Sequence, residues 1–238
     1  MKKLSLLLLA AASLLTAADF WLAKPYTEWS DKELQKLMTD SPWAKTVTIT
    51  PIVLPTAGGD APPPSRDLSS GKGGGKGGGG GGGQTAAATQ TYIIHFMSGV
   101  PMKQGAQKIR LGKEAASSAE SRALIEREEK EYIVVVSVAA SSTGRGGGHG
   151  KSSLSSDALK QAMTECTLAS KEKGSRTPTS VQMREGVNGG VDAFLFFPRN
   201  DPFTINDGDV EVAFKFAGST IKQKFHLREM VFNGKLEM

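Results

Sequence analysis

Between Pro55 and Gln90 the sequence carries almost no large apolar side chain, and at its centre, Gly71 to Gly83, eleven of thirteen residues are glycine and the other two are lysine. Such a stretch cannot bury enough apolar surface to offset the entropy of ordering it. Whatever folds must come from the flanks, and the composition predicts a disordered linker over 55–90. The linker divides the chain into an arm at 19–54, rich in tryptophan, and a core domain at 91–238.

Ahead of the arm, Lys2 and Lys3 precede an apolar stretch from Leu4 to Leu15 and then the small residues Thr16-Ala17-Ala18. A helix of that length falls well short of a hydrocarbon layer about 30 Å thick. The pattern instead predicts a secretory signal peptide over 1–18, cleaved after Ala18, and a periplasmic or secreted protein. No later segment is apolar enough to span a bilayer, so no transmembrane segment is expected after cleavage. Removing Lys2 and Lys3 lowers the formal charge from +5 to +3, and so small an excess, without a concentrated basic face, does not point to nucleic acid. The partners that suit export are an envelope protein or an anionic polymer. Cys166 is the single cysteine, so no internal disulfide staples the fold and a hydrophobic core must hold it.

Within the arm, Ser30-Asp31-Lys32-Glu33 has capping-box spacing, predicting a short helix to about Met38 that Asp40-Ser41-Pro42 stops. Val47 and Ile49 then alternate with threonines as a strand, which Pro51 confines to an edge. All three tryptophans, Trp21, Trp29 and Trp43, fall here. Large aromatics are not left in water, and 36 residues are too few to fold unaided. The arm is therefore expected to dock, on its own core or on a partner protein.

After the linker the periodicity switches between strand and helix. Thr91 to Ser98 and Glu131 to Val138 read as strands, Pro101 to about Arg110 as a helix, and the charged segment from Ala115 to Glu131 as an exposed helical extension with Arg122/Glu126 and Arg127/Glu131 four apart. A helix is predicted from about Ser156 to Lys173. The segments 179–184, 191–198, 209–216 and 219–228 follow as strands, the last two forming a hairpin across Ala217-Gly218. The order predicts an α+β fold, a mostly antiparallel sheet with two or more helices on one face.

The glycine-rich loop at about 141–155, with Gly150-Lys151-Ser152, is reminiscent of a phosphate cradle but is out of register. Six residues before Lys151 stands Arg145, and Gly144 is one position too early. No nucleotide or other cofactor is expected, and Lys151 is read as part of a flexible loop. His95, His149 and His226 lack ligand spacing, so no metal site is expected. His95 reads as a satisfied sheet residue. Cys166 shares a helical stripe with Leu159, Ala162, Met163 and Ala169 and reads as a small buried hydrophobe. Asp201, Asp207 and Asp209 sit in a turn-forming stretch. Lys222, Lys224, His226 and Arg228 fall on one strand face, a stripe that could meet an anionic polymer or lipid headgroup but reads as a solvated sheet face.

The segments EWSDKELQKLMTDSPWA (Glu28 to Ala44), FFPRNDP (Phe196 to Pro202) and MVFNGKLEM (Met230 to Met238) resemble a family of uncharacterised exported bacterial proteins. That resemblance implies export and an α+β core, and it supplies no catalytic residues. The leading expectation is a non-catalytic binding or envelope-associated module. The alternative is an envelope hydrolase with a polar site near Arg199 and Asp201.

Overall fold

A computed structural model describes residues 19–49, 90–139, 156–186, 190–216 and 218–238. The signal peptide expected over 1–18, the linker apart from Gln90, and the glycine-rich loop with His149 and Lys151 lie outside the described residues.

The chain is α+β. Its larger sheet has six strands in the order β1 (Asp40–Ser41), β2 (Ala44–Ile49), β3 (Gln90–Phe96), β4 (Glu131–Val138), β8 (Val191–Pro198), β7 (Ser180–Glu185), and every neighbouring pair is antiparallel. The smaller sheet runs β10 (Ser219–His226), β9 (Asp209–Phe216), β5 (Thr167–Ser170), β6 (Gly174–Arg176). A short hairpin, β11 (Val231–Phe232) with β12 (Lys235–Leu236), closes the chain, turning through Asn233 and Gly234, both at positive φ.

The two sheets face each other because each strand alternates, sending one set of side chains inward. Tyr92, Ile94 and Phe96 from β3 and Val134, Val136 and Val138 from β4 are buried, and opposite them Val210, Val212 and Phe214 of β9 and Ile221 and Phe225 of β10. Edge-to-face ring pairs bridge the sheets, Tyr92 to Phe214 at 5.7 Å and Phe96 to Phe225 at 4.8 Å. The predicted hairpin forms with Phe216 opposite Ser219 and Gly218 at φ 76°, a conformation for which glycine carries no Cβ penalty. Helix α5 (Ser156–Thr164) packs against β7, β8 and β9 with Leu159 and Met163 buried.

Two sequence expectations need correction here. The helix predicted to Lys173 ends at Thr164, and Thr167 onward pairs with β9 as strand β5. Leu168 gains a place between the sheets opposite Val212, burial that outweighs a weak helical preference, and Gly174 at φ 67° makes the return to β6. The segment Ala115 to Glu131 is not one exposed helix. A 3₁₀ turn at Gly112–Ala115 leads to α4 (Ala119–Glu126), capped by Ser118, whose hydroxyl accepts from the Ser121 amide; Ser121 and Ile125 are buried, and Arg127 pairs with Glu129 at 2.9 Å rather than with Glu131.

The arm lies on the chain's own core. It begins with α1 (Phe20–Ala23) and a 3₁₀ turn at Tyr26–Glu28, then enters α2 (Asp31–Thr39) through the complete Ser30/Glu33 capping box. Strand β2 joins β3, and β1 adds only two residues on its far side. Trp21, Trp29 and Trp43 retain 5%, 3% and 0% of their exposure. Trp43 Nε1 donates to the Glu237 carbonyl at 2.6 Å, joining the arm to the last residues of the chain, while Lys108 donates to the Thr27 carbonyl at 2.6 Å. Among the described residues no helix is long and apolar enough to cross a membrane.

Candidate functional site

Among the described residues, the outer face of the six-stranded sheet is only partly roofed. Helix α2 lies over β2 and β3, and α3 (Val100–Leu111) packs on α2. The two helices meet closely at Gly105, where an added Cβ would stand 2.7 Å from Leu37 Cδ2. Beyond their edge lies a recess of about 530 Å³, within the range of about 300 to 1,000 Å³ typical of small-molecule sites. Its walls include Met38 from α2 and Ala106 and Ile109 from α3.

The sheet supplies the floor in two cross-strand rows. One runs His95, Val135, Phe194 and the other Ile93, Ser137, Asp192, since each set lies in register across β3, β4 and β8. The surface is mainly apolar, with three polar side chains among the floor residues. At the outer edge, Arg184 lies opposite Asp192, and its guanidinium sits 4.4 Å from the centre of the Phe194 ring.

His95 departs from expectation. Both of its ring nitrogens are shut off from solvent and neither has a hydrogen-bond partner, so it is not a satisfied sheet residue. Desolvation pushes its pKa down to about 4, and the ring is neutral at pH 7. Ser137 and Asp192 line the same recess, and His95 is bonded to neither.

The other sequence candidates are occupied elsewhere. Arg199 stacks over the Tyr132 ring at 4.9 Å and donates to the Glu129 carbonyl at 3.3 Å. The Asp201 carboxylate pairs with Lys173, and its carbonyl accepts from Arg176, which itself stacks on Phe203 at 4.3 Å. These contacts fasten the 199–203 loop to the ends of β4 and β6. Asp207 accepts from the Thr204 amide at 2.6 Å. His226 Nδ1 lies 2.7 Å from Asp209, and Lys222 lies 3.6 Å from Glu211. The stripe of Lys222, Lys224, His226 and Arg228 is thus interleaved with carboxylates from β9, because Lys224 also lies opposite Glu211 in register. His95 and His226 stand on different sheets. Cys166 follows α5 rather than lying within it; it is buried, and burial pushes its thiol up to about 12.

Sequence reasoning missed the recess. The signal was present in β3 and β4, which are apolar on both alternating faces, Ile93 and Val135 as well as Ile94 and Val134. Two apolar faces mean that something covers each, and among the described residues α2 and α3 cover only part of the second. Neither a protein-family model nor a curated protein sequence matches this chain.

Proposed function

We propose that the chain is an exported, non-catalytic binding protein that holds an apolar small molecule in the recess between helices α2 and α3 and the outer face of the six-stranded sheet. The observation that carries the reading is the recess itself: about 530 Å³ with a mainly apolar lining, beside helix α2 where it covers β2 and β3 on that face. Export rests on the pattern of residues 1–18 and on the resemblance to exported proteins. A hydrolase at Arg199 and Asp201 has no comparable support, since both side chains hold the loop they belong to.

The test uses the neutral fluorophore 1-N-phenylnaphthylamine, whose emission rises in apolar surroundings. Wild-type protein is expected to bind it with micromolar affinity, and Ala106→Trp, which fills the recess from α3, to weaken binding at least tenfold while leaving the circular dichroism spectrum unchanged. Equal binding by both proteins, or none by either, overturns the reading. Export is tested separately by intact mass, which is expected to place the first residue of the exported protein at Asp19.

A further inference from the structure

His95 is the one floor residue whose polar atoms are left wholly unserved. It lines the recess, yet neither ring nitrogen reaches solvent, so the ring meets the recess through its carbon atoms. A half-turn about Cβ–Cγ preserves the outline of the ring and exchanges carbon for nitrogen on each edge. The same packing therefore accommodates an orientation with a nitrogen toward the recess, at the cost of no lost hydrogen bond, because none exists to lose. A buried imidazole without partners is expensive, and a ligand that supplies one recovers that cost.

Neutral imidazole offers one N–H donor and one bare nitrogen acceptor. A hydroxyl, which both donates and accepts, can serve either nitrogen. A carboxylate can only accept and an ammonium can only donate, and either ion would lose its hydration on entering a mainly apolar recess. The edge favours neither sign of ion over the other, since Asp192 and Arg184, of opposite charge, are cross-strand neighbours there. The remaining lining, with Ile93, Val135, Phe194 and Ile109, suits an alkyl or aromatic body.

We propose that the recess takes a neutral amphiphile, an alkyl or aromatic body carrying a hydroxyl group, and that this hydroxyl pairs with the imidazole of His95. The proposal rests on the binding role given to the recess above and adds to it the chemical class of ligand and the residue that reads it.

The experiment compares decan-1-ol, its isostere 1-methoxynonane, and decanoate as competitors of 1-N-phenylnaphthylamine on the full chain, in wild type and His95→Leu. The ratio of ether to alcohol dissociation constants is expected to be about fivefold larger in wild type than in His95→Leu, the size of one net hydrogen bond, and taking the ratio removes differences in ligand hydration. Decanoate is expected to bind more weakly than the alcohol at pH 7. Imidazole ¹⁵N resonances provide a second readout that needs no variant: decan-1-ol is expected to shift those of His95, and the ether to shift them less. If the alcohol binds and neither the ratio nor the His95 resonances change, or if decanoate is preferred, the hydroxyl assignment is wrong while the recess remains a binding site. If no competitor displaces the probe, or the probe does not bind, both the assignment and the binding role fail.

Discussion

A neutral imidazole enclosed under the α2–α3 edge makes stability depend on pH in a defined direction. The folded pKa of His95, about 4, lies below the ordinary value near 6.5, so the unfolded chain takes up the proton first. Stability attached to this residue is complete above about pH 6.5 and is lost as pH falls toward 4. His95→Leu removes the effect. In urea titrations the variant is expected to gain on wild type by roughly 2 to 3 kcal/mol between pH 7 and pH 4.5, and a difference that is independent of pH would show that the ring is not enclosed. At the same scale, some of the molecule was readable beforehand. Cys166 was expected as a small buried hydrophobe and is one; His95 was expected to be satisfied, and strand alternation alone cannot reveal whether a partner stands opposite.

Elements whose register is written into their own residues were the legible ones. The strands of the β9–β10 hairpin alternate so regularly that the pair was readable before any tertiary contact, and the Ser30/Glu33 box marks the start of α2 with its own hydrogen bonds, 2.8 Å from the Ser30 amide to the Glu33 carboxylate. The β5–β6 pair was not legible, because Leu159, Met163 and Cys166 fall on one helical stripe and only the neighbouring β9 makes Thr167 onward a strand. The β11–β12 hairpin did carry a signal, the Asn233-Gly234 dipeptide suited to a tight turn with two positive φ angles. Helix packing supplies a prediction at this scale. Gly105→Ala would press a methyl group toward Leu37, which is fully buried and cannot move into solvent. The crowding outweighs the gain in helix propensity, and thermal or urea unfolding is expected to show a loss of about 1 kcal/mol; unchanged or increased stability would mean that α2 and α3 meet less closely.

Seen whole, the molecule has two sheets enclosing one core, helices over part of one outer face, and an arm that completes both the large sheet and the roof. Helix α2 belongs to the arm, so the recess exists only when the arm is seated. Its three buried tryptophans report that state: native protein is expected to emit with a blue-shifted maximum that moves to that of solvated indole on unfolding, and a solvated spectrum from the native monomer would place the arm elsewhere. The core domain alone could not be read as carrying the site, because one wall comes from Met38, more than fifty residues before the floor at Ile93 and His95, across the linker.

Whether the open outer face of the six-stranded sheet holds an apolar ligand is decided by mapping amide and methyl resonances of isotope-labelled protein during titration with decan-1-ol. Saturable shifts are predicted at Ile93, Val135 and Ala106 on the recess, with Val134, Val136 and Ile94 on the inner faces far less affected. No saturable shift at the recess, or shifts concentrated on another surface, would contradict the binding role.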